Sequence, residues 1–229
     1  MDTPLYVPRT LDLYSLLEKK SHFLFGPRQT GKSSLIRHTL SGVRVYDLLD
    51  TVMYLALSQN PGRLEQELTP QDHTVVIDEI QRLPNLLNEV HRLIEQRRLT
   101  FLLTGSSARK LRRGGVNLLG GRARTKYLHP LTFRELGDRF DLLRTVECGL
   151  LPSMYFSDDP RADLQAYAGS YLQQEIVAGV GGGEPAQAVS LCQSGPPATA
   201  GGRGDDRACS GIPCGTLERS LCVASTVME

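Results

Sequence analysis

The stretch Phe25–Ser34, FGPRQTGKSS, decides how the rest of the chain is read. Gly26, Gly31, Lys32 and Ser33 satisfy the pattern GxxxxGKS, and they fall where an apolar run, HFLFG, gives way to a helical pattern starting at Lys32. Strand, glycine-containing loop and helix in that order are the context a phosphate-binding loop requires. Glycine lets the backbone wrap closely, successive N–H groups converge on phosphate oxygens, and the new helix presents its positive end. The loop expected to hold the phosphates comprises Gly26, Pro27, Arg28, Gln29, Thr30, Gly31, Lys32, Ser33 and Ser34. Lys32 is expected to reach the outer phosphates, and the Ser33 hydroxyl to complete the shell of a Mg²⁺ ion.

A second stretch supports the first. In Val75–Glu79, VVIDE, an apolar strand delivers two adjacent carboxylates to its C-terminal end, the edge at which ligands bind in open α/β sheets. Asp78 is the expected Mg²⁺ residue, directly or through water. Glu79, one residue on, is placed to polarise a water toward the terminal phosphate. FLLTGSS ends in Thr104, Ser106 and Ser107, whose hydroxyls serve either as a sensor of that phosphate or as a cap for the next helix. GGRART supplies Arg122 and Arg124, of which Arg122 is the first choice for an arginine finger, acting in cis or in trans. Arg109, Lys110, Arg112 and Arg113 form a basic cluster without interleaved aromatic residues; it reads as a solvated helix face, and nucleic acid as a partner is left without support.

Around these motifs the chain alternates between two periodicities. LDLYSLLEKK reads as an amphipathic helix, HFLFG as a strand, Lys32–Leu40 as a helix, VRVYDLL as a strand, and Pro61–Leu68 as a helix. HTVVIDEI follows as a strand, LPNLLNEVHRLIEQRR as a helix with its apolar stripe at Leu86, Leu87, Val90 and Leu93, Thr100–Thr104 as a strand, and KYLHPL as the last strand. The alternation predicts an α/β fold, a mostly parallel sheet flanked by helices.

Composition sets outer limits. The formal net charge of the 229 residues is +1, so no global field draws the chain toward DNA or an anionic membrane. The N-terminus has no secretory pattern and no apolar run is long enough to span a bilayer, which predicts a cytoplasmic location without membrane contact. Cys148, Cys192, Cys209, Cys214 and Cys222 are odd in number and unevenly spaced, which argues against a disulfide framework. The last four lack any CxxC pair and have no histidine among them, which argues against zinc. The expected organisation is a P-loop ATPase domain over 1–140, the start of a helical region over 141–178, and a Gly-, Ala- and Pro-rich tail over 179–229 with too little apolar surface to order itself.

GPRQTGKS, VVIDEIQRLP, LLTGSSARKL, LLGGRA and LHPLTFREL, in this order, resemble the prokaryotic AAA-type ATPases of the AAA_14 group, which carry a DUF4143 region at the C-terminus. The resemblance runs from about Tyr6 to about Ala178. It implies a P-loop NTPase with an added strand between the loop strand and the Asp-Glu strand, hence a sheet order of 5-1-4-3-2. It also implies ATP and Mg²⁺ as ligands, with Lys32 and Ser33 in the nucleotide loop, Asp78 and Glu79 at the metal and water positions, Ser106 or Thr104 as sensor, and Arg122 in the Gly-Arg pair. Members of the group continue after a segment like YLQQEIVA into a helical region. Here the tail stands in its place, and the expectation is a frameshift or truncation near codon 178. The functional expectation is an Mg²⁺-dependent ATPase that drives a conformational switch, or a nucleotide-binding module without turnover. A GTPase is disfavoured by the absence of an NKxD motif, and a small-molecule kinase by a glutamate placed for water. Tyr6–Arg9 is a candidate to lie against the base. Protein partners and oligomeric state are not legible.

Overall fold

A computed structural model of the chain describes residues 6–106, 108, 111 and 119–171. Ser107, the cluster at Arg109, Lys110, Arg112 and Arg113, and the whole of 172–229 with its four cysteines lie outside the described residues.

Five strands form one sheet: β1 (Ser21–Phe25), β2 (Arg44–Asp47), β3 (Thr74–Asp78), β4 (Thr100–Gly105) and β5 (Ala123–Tyr127). Their spatial order is β2-β3-β4-β1-β5, with every pairing parallel. This is the 5-1-4-3-2 order that the resemblance implies, with β4 inserted between the loop strand and the Asp-Glu strand. The register sets Phe25 beside Gly105 and Tyr127, so the C-terminal ends of β1, β4 and β5 align along one edge.

Both faces of the central strands β1, β3 and β4 are covered, and these strands are accordingly buried along nearly their whole length. Phe23, Phe25, Tyr46, Val75, Ile77, Phe101 and Leu103 point to one side and pack against Leu86, Leu87, Val90 and Leu93 of α5 (Leu86–Arg97). Leu57 of α3 (Thr51–Gln59) and Leu64 of α4 (Arg63–Glu67) join the same layer. The alternate residues Leu24, Val76 and Leu102 meet Leu13 and Leu17 of α1 (Leu13–Leu17) and Leu35 and Ile36 of α2 (Lys32–Thr39). Each such side chain, fully buried, contributes about 1.5–3 kcal/mol. A third cluster joins Val7 to Leu131, to Leu136 of α6 (Phe133–Leu136), to Cys148 of α7 (Leu142–Cys148), and to Met154 and Tyr155 of α8 (Pro152–Tyr155). A longer helix, α9 (Pro160–Tyr171), ends the described part.

Two elements differ from expectation. α3 was not expected, because TVMYLALSQ is apolar all round: Leu57 is buried, whereas Val52 is 77 % and Leu55 49 % exposed, so no stripe marks the helix. Its start is set by Asp50, whose Oδ1 accepts from the N–H of Val52 (2.8 Å) and Met53 (3.5 Å). The last strand was expected at KYLHPL and lies three residues earlier. As an exposed edge strand, ARTKY has no apolar run to announce it, and its position is imposed by pairing with β1 from Ser21↔Ala123 to Phe25↔Tyr127.

Asp50→Ala removes the only side-chain acceptor at the start of α3 among the described residues. We expect it to lower stability by about 1 kcal/mol in urea denaturation.

Candidate active site

The loop between β1 and α2 is held open by its backbone. Gly26 sits so close to the chain after β5 that a Cβ there would lie 2.3 Å from the Leu128 carbonyl oxygen. Leu128 in turn donates its N–H to Phe25 O at 2.7 Å. Gln29 (φ 63°) and Gly31 (φ 87°) take left-handed conformations, the alternation that turns successive N–H groups to one side. Thr30 is buried, its hydroxyl donating to Pro27 O (2.9 Å), and Gly31 caps α2, its carbonyl accepting from Leu35 N–H (2.8 Å). Ser34 follows in the first turn of α2, where His38 Nδ1 lies 2.8 Å from its carbonyl oxygen.

Lys32 points back over this loop. Its Nζ donates to the carbonyls of Gly26 (2.8 Å) and Pro27 (3.0 Å), and the residue is 6 % exposed. Among the described residues no carboxylate lies within ion-pair distance. Burial pushes the ammonium below the usual lysine range, against the more distant carboxylates of Glu79 and Asp78, which favour the charged form. A buried cation ringed by carbonyls and by inward-turned amides is an environment completed by an anion.

The acidic side of the site comes from β3. Ser33 donates its hydroxyl to Asp78 Oδ2 at 2.6 Å, joining the first turn of α2 to the end of β3 across the intervening β4. Thr104, at the end of β4 and fully buried, donates to Asp78 Oδ1 and accepts the Glu79 N–H at 3.3 Å. Glu79 itself is left-handed (φ 59°, ψ 42°), a conformation that costs a non-glycine residue free energy and marks functional turns. Its carboxylate accepts from the Gln81 side-chain amide. Gly105 makes room for that amide: a Cβ there would stand 2.3 Å from Gln81 Oε1.

The structure therefore gathers Gly26, Pro27, Arg28, Gln29, Thr30, Gly31, Lys32, Ser33, Asp78, Glu79 and Thr104 at one sheet edge, with Ser106 two residues past Thr104. It does not bring Arg122 there. Arg122 precedes β5, whose first residue pairs with Ser21 at the start of β1, so a strand length of about 13 Å separates it from the loop. At that opposite edge its Nε donates to Glu95 of α5. An arginine finger in cis is thereby excluded for Arg122. Arg124, paired with His22, is exposed on the edge strand. Tyr6 stacks on His38 with ring centroids 3.7 Å apart.

Contacts that the sequence did not announce reach the loop from outside. Ser153 of α8 donates to Gln29 Oε1 (2.8 Å), Tyr167 of α9 donates to Arg28 O (3.4 Å), and Arg9 donates to Thr30 O (2.7 Å). Gln81 is not named by the sequence, since a lone polar residue in VIDEIQRLP carries no pattern of its own, and Arg9, read there only as part of the Tyr6–Arg9 segment facing the base, is found bound to the loop. Among the described residues no group of three or more His, Cys, Asp and Glu side chains forms a metal cage, and no helix is long and apolar enough to cross a membrane. Ser33 and Asp78 fit Mg²⁺ in another way, as two oxygen ligands that leave most positions to phosphates and water.

Sheet order, loop and acidic strand end together define a P-loop NTPase fold. The chain belongs to the AAA_14 family, described as an AAA domain, whose model matches residues 18–137; at that level it is a nucleotide-binding protein of ATPase type. Among solved structures it is similar to one described as showing the structural basis for DNA unwinding at forked dsDNA by two coordinating Pif1 helicases, with 14 % identity, TM-score 0.37, and 67 % of this chain and 49 % of that one covered. It is similar also to Pif1 helicase from Candida albicans, with 17 % identity, TM-score 0.37, and coverage of 66 % and 44 %. The chain spans less than half the length of these two structures. No curated protein matches.

Gly26→Ala forces its methyl against the Leu128 carbonyl. We expect a loss of about 1–3 kcal/mol from the clash in urea denaturation, whereas Gly42→Ala, with open space around it, bears only the backbone cost of its positive φ, about 1–2 kcal/mol.

Proposed function

We propose that this chain binds ATP with Mg²⁺ and hydrolyses it, and that hydrolysis drives a conformational switch. The observation that carries the reading is the 2.6 Å hydrogen bond between Ser33 and Asp78, which sets two oxygen ligands side by side at the mouth of the loop. Ser33 and Asp78 would hold Mg²⁺ there, and the ion would supply positive charge to neutralise and orient the phosphate oxygens. Lys32 neutralises the outer phosphates from the loop side. Thr104 fixes Asp78 and the Glu79 backbone, and the Gln81 amide holds the Glu79 carboxylate. Glu79 accepts a proton from the attacking water as its oxygen bonds to the terminal phosphorus, and the bond to the bridging oxygen breaks to release ADP. Ser106 is the candidate sensor of the terminal phosphate. An arginine finger from Arg122 serves only a second copy of the chain. The switch runs through the contacts of Ser153 with Gln29 and of Tyr167 with Arg28, which join the last helices to the loop.

The test is ATP hydrolysis and binding by this chain and two variants. Glu79→Gln is expected to keep ATP binding and to lower turnover by about 10²–10⁴-fold. Lys32→Ala is expected to weaken binding by about ten- to a hundredfold. Glu79→Gln turning over normally removes the base, and a wild-type chain that binds without turnover leaves the nucleotide-binding module as the function.

The lowered Lys32 value gives a pH signature. A bound phosphate favours the charged ammonium, so binding takes up a proton wherever free Lys32 is neutral. ATP affinity is expected to stay level below that lowered value and to fall as pH rises through it; in Lys32→Ala the fall is absent.

A further inference from the structure

We propose that Arg9 and Glu135 are positioning residues for the phosphate loop, holding the Thr30–Gly31 peptide so that its N–H faces the inside of the loop. The inference rests on the reading of that inside as the phosphate side.

Arg9 uses its whole guanidinium in one place. Nη1 donates to Thr30 O (2.7 Å), Nη2 to His129 O (2.6 Å) and Pro130 O (3.2 Å), and Nε to Glu135 Oε1 (3.0 Å). The two side chains are 4 % and 3 % exposed. Glu135 is itself fastened: Oε1 accepts from Thr10 N–H (2.9 Å) and Oε2 from Thr132 N–H (2.9 Å), while Thr132 and Glu135 close a capping box on α6. Burial pushes the Glu135 carboxyl upward, and the donors from Thr10, Arg9 and Thr132 outweigh it and keep the pKa below the ordinary range. Three segments distant in sequence, the N-terminal stretch, the loop, and the chain from β5 into α6, thus meet on one planar cation.

The consequence for the loop follows from peptide geometry. A trans peptide points its C=O and N–H in opposite directions, and there are no cis bonds in the described residues. Pinning Thr30 O outward on Arg9 therefore turns Gly31 N–H inward. Gly31 is left-handed, and among the described residues the one other hydrogen bond of Thr30 is that of its hydroxyl to Pro27 O. A lysine at position 9 can still pair with Glu135 but has no fork to reach Thr30 and His129 together.

Hydrogen–deuterium exchange of the whole chain tests this without nucleotide, and binding of a fluorescent N-methylanthraniloyl ATP reports the effect on the site. In Arg9→Lys we expect amides of 26–34 to exchange about tenfold faster, with β3 and β4 unchanged, and the ATP analogue to bind about tenfold more weakly. Glu135→Gln, whose single amide oxygen can still accept from Arg9 and Thr10 but which loses the charge and the acceptor for Thr132 N–H, is expected to give a smaller rise in the same loop. Unchanged loop exchange in Arg9→Lys overturns the proposal. So does a rise in either variant that is equal across loop and strands, the signature of a merely structural pair. Faster loop exchange in a chain whose wild type binds no analogue leaves the brace standing and strikes the ATP reading instead.

Discussion

The hydrogen bond from Ser33 to Asp78 is the contact on which the site depends. β1 and β3 are not neighbours: β4 lies between them, so their ends stand two strand spacings apart, about 9.5 Å. A loop that stopped at the end of β1 would face Thr104, not Asp78. The loop instead rises over the sheet edge, and the first turn of α2 carries Ser33 across the gap. Thr104, on the strand in between, fills the space beneath and bonds to Asp78 from below. Strand order, loop length and helix start are therefore one constraint, and Lys32 and Glu79 take their places from it.

Two of the four left-handed non-glycine residues among the described residues, Gln29 and Glu79, flank that contact; the other two, Arg98 and Leu119, lie elsewhere. Gln29 and Gly31 in the loop and Glu79 at the end of β3 are left-handed. Glycine adopts this conformation without cost, whereas for Gln29 and Glu79 the surroundings must hold it. For Glu79 they are the Thr104 hydroxyl on its N–H and the Gln81 amide on its carboxylate. For the loop they are outside it, on Arg9, Ser153 and Tyr167. The helical region after β5 is thus in contact with the loop.

What could be read from the sequence was whatever local pattern specifies. GxxxxGKS and VVIDE name their own residues, because a tight glycine loop before a helix and a pair of carboxylates at a strand end are set by residues in consecutive positions. The central strands were legible because burial on both faces makes them continuous apolar runs. β5 was not, since an exposed edge strand such as ARTKY has no burial to pattern it, and its register comes from β1. Nor was α3, apolar all round and marked only by its Asp50 cap. Arg122 was named as a finger from the residues GGRA, yet only the three-dimensional register shows that it stands at the far edge of the sheet. Arg9 acts through several long-range contacts and Gln81 through one turn contact, and neither leaves a periodic trace.

The most direct test of the central claim is calorimetric titration of ATP with and without Mg²⁺ into the wild-type chain, Ser33→Ala and Asp78→Asn. If Ser33 and Asp78 jointly hold the ion, Mg²⁺ tightens ATP binding to the wild type and adds little in either variant. An Asp78→Asn protein that gains as much affinity from Mg²⁺ as the wild type would contradict the account.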